Sequence, residues 1–188
     1  IPAEAGLGGG SADAAAVLNG MQKLYDGLDE GTIADIALLV GADVPFCLRG
    51  GLQRAEGIGE LLTPLPGCDM HFVIAKPAMG VSTKQLFYSL KLPRPQPDTA
   101  RAIAAIASCD VRALGPLLFN ALEEAATAFV PAIGELHDAF LQSGALGASM
   151  TGSGSTVFGL FETEAEAAAA AEAIKDQAPF VRVCRAVW

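Results

Sequence analysis

Aromatic residues make up only 6% of this 188-residue chain. Its core must therefore be mostly Ala, Leu, Val and Ile, which a 52% hydrophobic content supplies. Positive charge is also scarce: 12 Lys and Arg stand against 21 Asp and Glu, a net charge of -9. That balance argues against general nucleic-acid or anionic-membrane binding, both of which need basic patches. It leaves a nucleotide open, because backbone N–H groups hold phosphate without net positive charge. There are two histidines, His71 and His137, and four cysteines, Cys47, Cys68, Cys109 and Cys184. Neither set has metal-ligand spacing and no C-x-x-C pair occurs. A zinc site or redox motif is not expected, and the cysteines read as free thiols in a reducing compartment. No signal-peptide pattern and no run of about eighteen strongly apolar residues is present. The chain reads as soluble and intracellular, with a length that fits one domain or one and a half.

Two common phosphate motifs are missing as well. No Gly-Lys pair exists, which excludes a Walker A loop, and neither register of the opening glycines completes G-x-G-x-x-G. What is present is the run Ile1-Pro2-Ala3-Glu4-Ala5-Gly6-Leu7-Gly8-Gly9-Gly10-Ser11-Ala12-Asp13-Ala14-Ala15-Ala16. A glycine-rich loop here leads straight into an alanine-rich helix. Glycines let the backbone approach a ligand closely. A helix start offers unpaired N–H groups and a positive dipole end, so together they form an anion site. The plainer alternative is a glycine turn that only caps the helix.

Downstream, Ser11 is placed to cap a helix that continues to about Leu24, closed by a turn at Tyr25 to Gly27. Thr32 to Val40 has helical periodicity. Pro45 pushes Val44 towards extended geometry, so Phe46 to Leu48 is expected as a short strand. Further strands are expected at Leu52 to Glu56, Leu61 to Leu65, Met70 to Lys76, Thr156 to Phe161 and Phe180 to Val187. Ser82 or Thr83 caps a short helix through Leu90. The Pro-rich stretch from Leu92 to Pro97 is a surface connection. Asp98 to Leu141 is helical in pattern, broken near Asp110, Gly115 and Pro131, and Glu162 to Ala173 is an alanine-rich helix. The fold class is α+β, a few antiparallel strands with several helices.

Two further segments carry chemistry. In Gly41-Ala42-Asp43-Val44-Pro45-Phe46, Asp43 stands among small and apolar neighbours. It is either a turn or cap residue, or a partly desolvated carboxylate that orients and deprotonates an attacking hydroxyl. Met150-Thr151-Gly152-Ser153-Gly154-Ser155 is either a hairpin-like glycine turn before a strand, or a loop whose amides shape a phosphate site.

The run Pro2 to Ala15 resembles the phosphate loop of the GHMP small-molecule kinases. Its triple glycine followed by Ser-Ala-Asp-Ala-Ala is similar to one branch, the 4-diphosphocytidyl-2-C-methyl-D-erythritol kinases. Gly-Ala-Asp-Val-Pro-Phe at 41–46 and the Thr-Gly-Ser-Gly loop at 151–154 resemble the second and third motifs of that branch, in order. Glu56-Gly57-Ile58-Gly59-Glu60 resembles a link that is structural. Asn120-Ala121-Leu122-Glu123 resembles an Asn-Asp-Leu-Glu string from which Ala121 departs, so no role is assigned to it.

The resemblance implies a GHMP kinase fold. Its parts are a partial N-terminal lobe, like ribosomal protein S5 domain 2, over residues 1–65, and a C-terminal α/β sandwich with an antiparallel sheet over 66–188. It implies ATP and Mg²⁺ as cofactors, and phosphorylation of the 2-hydroxyl of a CDP-linked polyol in isoprenoid precursor synthesis. Pro2, Ala3, Glu4, Ala5, Gly6, Leu7, Gly8, Gly9, Gly10, Ser11 and Ala12 would cradle the ATP phosphates, with Ser11 facing Mg²⁺. Asp43 would be the catalytic base. Thr151, Gly152, Ser153 and Gly154 would close the site. Thr83 would hydrogen-bond and Phe87 would stack on the cytosine, although Phe87 also suits the core of a short helix. Competing readings are another GHMP kinase with a different alcohol, or a non-catalytic nucleotide-binding module. The family pattern also places sheet strands and a lysine before the phosphate loop. On that pattern the chain taken alone is expected to be a poor kinase, and either a longer protein supplies those strands or a partner copy or swap covers the exposed face. The expected location is the bacterial cytoplasm, or the plastid stroma for a plant protein.

Overall fold

The computed structural model of the protein describes residues 1–25, 29–90 and 96–187. The chain divides into two compact units. One comprises Cys68–Ala186 together with the opening residues Ile1–Leu7, and the other runs over Gly8–Gly67 with Val187.

The smaller unit begins with α1 (Gly9–Leu24), followed by α2 (Glu30–Val40) and α3 (Val44–Arg49). Helix α1 starts two residues before Ser11: its N-cap is Gly8, at φ 65°, and no side chain caps it. The expectation of a Ser11 cap is therefore corrected, and Ser11 occupies the third helical position. Helix α2 has a true side-chain cap. The Thr32 N–H donates to Asp29 Oδ1 at 2.8 Å and its hydroxyl donates to Oδ2 at 2.9 Å. Led by the backbone bond, these contacts lower the Asp29 pKa below the ordinary carboxylate value.

Phe46 to Leu48 is helical, not a strand, and Val44 is helical with it. Proline in the first turn of a helix loses no hydrogen bond, and its fixed φ suits the start. Pro45 at that position begins α3 rather than breaking the chain. Ala15 and Leu18 of α1, Ile33 and Ala37 of α2 and Val44 of α3 make the core of this unit. The spacings of three and four residues put each pair on one helix face. A two-stranded antiparallel ribbon, β1 (Gln53–Glu56) with β2 (Leu61–Pro64), follows in register Gln53 to Pro64 and Glu56 to Leu61.

The larger unit is built on a four-stranded antiparallel sheet. Its strands are β3 (His71–Lys76), β4 (Gly147–Met150), β5 (Val157–Phe161) and β6 (Phe180–Arg185), in the order β4-β5-β3-β6. Strand β4 was not expected from the sequence: Gly147-Ala-Ser-Met150 is short and lacks alternation, yet all four residues are buried. Helix α8 (Ala132–Gln142) contributes Ile133, Leu136 and Phe140, and α9 (Glu164–Ile174) contributes Ala167, Ala170 and Ile174. Both sets follow the i, i+3, i+7 pattern and meet Val73 and Ala75 of β3 in one core.

Helices α4 (Thr83–Ser89), α5 (Thr99–Ala107), α6 (Val111–Leu114) and α7 (Glu123–Phe129) fill the connection between β3 and β4. Polar side chains set three of these starts: Ser82, Asp98 and Asp110 each accept an N–H three residues on. Thr163 and Glu166 form a reciprocal capping box at α9. The segment from 98 to 141 breaks around Asp110, Gly115 and Pro131, as its pattern predicts. Asp26, Gly27 and residues 91–95, which include most of the expected Pro-rich connection, lie outside the described residues.

The reading of four free thiols is corrected. Cys68 and Cys109 are bonded, across 41 positions of sequence, while Cys47 and Cys184 are free. The bond ties the residues entering β3 to the turn between α5 and α6. Spacing along the chain carries no trace of a pairing that only the tertiary fold brings about.

Candidate functional site

The opening run is divided between the units at Leu7 and Gly8, and each part has its own surroundings. In the larger unit, residues 4–6 lie along the turn that joins β4 to β5. The Ser155 N–H donates to the Glu4 carbonyl and the Thr156 N–H to the Ala5 carbonyl, both at 3.3 Å. The Thr151 hydroxyl donates to the carbonyls of Gly6, at 2.8 Å, and Ala5, at 3.2 Å. Gly6 has φ 65°, and a β-carbon there would overlap the Thr151 carbonyl and stand 2.9 Å from the Gly154 nitrogen. Only glycine fits this crossing. The structure therefore brings Glu4, Ala5 and Gly6 together with Thr151 and Gly154. Pro2, Ala3 and Leu7 belong to the same loop stretch.

The turn itself is held from the other side. The Gly154 N–H donates to the Thr151 carbonyl and the Thr151 N–H to the Thr156 carbonyl, each at 2.8 Å. Asn120 donates both amide hydrogens, to the Met150 carbonyl at 2.7 Å and the Gly152 carbonyl at 2.8 Å. Its own oxygen accepts from the Leu122 N–H. Glu123 Oε2 accepts from the Ser149 hydroxyl at 3.1 Å and the Met150 N–H at 3.0 Å. Neither residue is assigned a role by the family resemblance. Their signal was the Asn-x-Leu-Glu spacing itself, which the departure at Ala121 obscured.

Thr83 opens α4 and its hydroxyl lies 2.8 Å from that of Ser153. Phe87, one turn on, is 56% exposed, whereas Leu86 beside it is fully buried. Leu86, not Phe87, supplies the core side of this helix. Thr83 and Phe87 share a helix face through their i, i+4 spacing, and that face is open.

In the smaller unit, Gly8, Gly9, Gly10, Ser11 and Ala12 form the first turn of α1. Its first backbone bond runs from the Ala12 N–H to the Gly8 carbonyl. The preceding amides have no partner within the helix, which is the general condition of a helix start. A β-carbon built on Gly8 or Gly10 meets nothing within 4 Å. No packing demand thus explains glycine at position 10.

Asp43 sits at the N-cap position of α3, where Asp commonly folds back on the helix. Here it does not: its backbone is helical, at φ -87° and ψ -10°, and its side chain makes no capping bond. Its carbonyl accepts the Cys47 N–H at 3.1 Å. The residue is exposed, so the expectation of a partly desolvated carboxylate is corrected. The carboxylate thus makes no capping bond, and only its charge acts on the helix start. The nearby Cys47 thiol is pushed up, first by burial and then by the charge of Asp43.

Among the described residues, no three His, Cys, Asp or Glu side chains converge as a metal cage. Mg²⁺ commonly keeps waters and binds through substrate phosphates with one or two protein ligands. A single hydroxyl such as Ser11 beside a phosphate site suits that mode, in which the nucleotide carries the ion. No helix among the described residues is long and apolar enough to cross a membrane.

Comparison with known proteins yields a consistent set of likenesses. Residues 1–51 match the GHMP kinases N terminal domain, and residues 102–179 match GHMP kinases C terminal. A 4-diphosphocytidyl-2-C-methyl-D-erythritol kinase of Acetivibrio thermocellus is 44% identical over 180 residues, covering 94% of this chain and 64% of that protein. The corresponding kinase of Clostridium novyi is 38% identical, covering all of this chain and 68% of that one. This chain thus spans about two thirds of the length of these relatives. A crystal structure of 4-(cytidine 5'-diphospho)-2C-methyl-D-erythritol kinase superposes with a TM-score of 0.83 at 35% identity, over 99% of this chain and 67% of that one. A homoserine kinase from Cytophaga hutchinsonii gives 0.81 at 23% identity, covering all of this chain and 67% of its own, which is a likeness of fold.

Proposed function

The chain belongs to the GHMP kinases, in the branch of the 4-diphosphocytidyl-2-C-methyl-D-erythritol kinases, and on that premise we propose that it serves ATP-dependent phosphorylation of that CDP-linked polyol. The γ-phosphoryl group passes from ATP to the oxygen of the 2-hydroxyl, the hydroxyl proton goes to a carboxylate, and ADP leaves. The step belongs to isoprenoid precursor synthesis, and its proposed place is the cytoplasm.

Asp43 is the carboxylate that receives the proton. The observation that carries this assignment is its unused side chain: it stands at a helix start without capping it, open to an incoming hydroxyl. Residues Pro2 to Ala12 form the loop that cradles the ATP phosphates, with the unpaired backbone N–H groups at the α1 start as donors. Mg²⁺, when bound with the nucleotide, neutralises charge on the phosphoryl oxygens. Ser11 is the side chain placed to meet it. Thr83 and Phe87 take the cytosine, the ring of Phe87 offering an exposed stacking face; base stacking on an aromatic contributes roughly 1–3 kcal/mol.

The test is phosphoryl transfer by the full-length protein to 4-diphosphocytidyl-2-C-methyl-D-erythritol, homoserine and mevalonate in parallel. The expected result is turnover of the first alone. Asp43→Asn is expected to lower kcat by roughly 10²–10⁴-fold, the usual contribution of a general base. Its melting temperature should fall by no more than a few degrees, because no capping bond is lost and only the charge at the helix start goes. Full turnover by the Asn variant, or preference for another alcohol, would refute the assignment.

A further inference from the structure

The segment from Asn120 to Glu123 lies outside every role proposed above, yet it makes the densest set of side-chain-to-backbone bonds around the β4–β5 turn. Asn120 spends its whole amide there: two hydrogens on the Met150 and Gly152 carbonyls, and its oxygen on the Leu122 N–H. Glu123 takes the Met150 N–H and the Ser149 hydroxyl on one carboxylate oxygen. Met150 is thereby gripped at both its backbone polar groups. The next residue, Thr151, passes this placement on through its hydroxyl to Ala5 and Gly6. Ser155 and Thr156, at the end of the same turn, hold Glu4 and Ala5.

We propose that Asn120 and Glu123 are positioning residues that fix the Thr151–Ser155 turn and, through it, the backbone of Glu4 to Gly6 for binding the nucleotide phosphates. The proposal rests on the phosphate-loop reading of residues 2–12. Its physical basis is that the loop has few anchors of its own in this unit. Residues 4–6 are neither helix nor strand, and Glu4 and Gly6 have positive φ. Such a backbone keeps one conformation only when its surroundings over-determine it. The turn supplies that constraint, and Asn120 and Glu123 constrain the turn. Neither residue touches ATP in this scheme, so their loss should change affinity rather than chemistry.

The variants are Asn120→Asp, which keeps the shape and the oxygen but removes both donors, and Glu123→Ala with Glu123→Gln. In the full-length protein, Asn120→Asp and Glu123→Ala are each expected to raise the ATP dissociation constant about tenfold, the scale of one to two net hydrogen bonds. The KM for ATP should rise in parallel, with kcat and the KM for the polyol within about twofold, since the reacting groups are untouched. Glu123→Gln keeps an acceptor oxygen and should restore most of the affinity. Amide hydrogen exchange at Ser155 and Thr156 should quicken in both weakened variants, with or without nucleotide.

A purely structural role would instead lower the melting temperature and kcat while leaving both KM values alone, and that pattern overturns the proposal. Unchanged exchange and ATP affinity in folded Asn120→Asp overturn it as well. Should Asn120→Asp not fold, the Glu123 pair decides by the same criteria. If the wild type phosphorylates no alcohol, the phosphorylation reading fails. ATP binding and exchange still decide the present proposal, since neither needs turnover.

Discussion

Replacing Gly10 by alanine should strengthen the protein and weaken its hold on ATP at once. Gly10 is the second residue of α1, and a β-carbon there meets nothing within 4 Å. It has no positive φ that an alanine would strain. Glycine in a helix is destabilising by roughly 0.5–1 kcal/mol relative to alanine. Near the frayed end of α1 the lower part of that range applies. For a chain of this size, the gain is a rise of about 1–3 °C in the melting temperature without ligand. The same methyl group projects beside amides that have no partner in the helix. If a phosphate uses them, it must retreat and lose at least one charge-assisted hydrogen bond, about 1.5–3 kcal/mol. That is roughly a 10–100-fold weaker dissociation constant.

Two assays suffice: a thermal melt of the ligand-free protein, and titration of ATP into wild type and variant. Gly6→Ala is the matched control, because its β-carbon would overlap Thr151 and its φ is positive. It should lose stability as well as affinity. A Gly10→Ala protein that is more stable and binds ATP as before would refute the phosphate-cradle reading of the loop.

Two further outcomes follow from the cysteines. With Cys68 and Cys109 bonded, the denatured protein should show two reactive thiols before reduction and four after it. Reduction should cost about 2–4 kcal/mol of stability, as is typical for closing a loop of this length; four thiols without reductant would refute the pairing. Cys47 has its thiol pKa raised by burial and then by Asp43, so less of it is thiolate at pH 8.5 than in a free peptide. Alkylation at that pH should be slow, and Asp43→Asn should quicken it by removing the negative charge. An unchanged rate would show that the carboxylate does not act on the thiol.

The parts of the fold that the sequence makes legible are those governed by neighbours in the chain. Ser82, Asp98, Asp110 and Thr163 start helices because each reaches an N–H three residues away. The i, i+3, i+7 rows of α8 and α9 work in the same way. Pro45 misleads because proline disfavours a helix in its middle and suits its first turn, and the local sequence is compatible with either. The Cys68–Cys109 bond and strand β4 depend on partners far away in sequence. At the candidate site, the glycine run stands out by composition, while Asp43 is singled out only by the resemblance of Gly41 to Phe46 to a family motif. The work of Asn120 does not, because its partners are carbonyls 30 and 32 positions away.

Strand β4 lies at one end of the sheet, with β5 as its only strand neighbour among the described residues. An edge strand ordinarily shows a row of N–H and C=O groups that invites another strand to add to it, the first step of edge-to-edge aggregation. At Met150 both of those groups are already occupied, the N–H by Glu123 and the carbonyl by Asn120. Two side chains thus do there what a bulge, a proline or a charged surface does in other proteins. At that residue they occupy the backbone groups that an added strand would need.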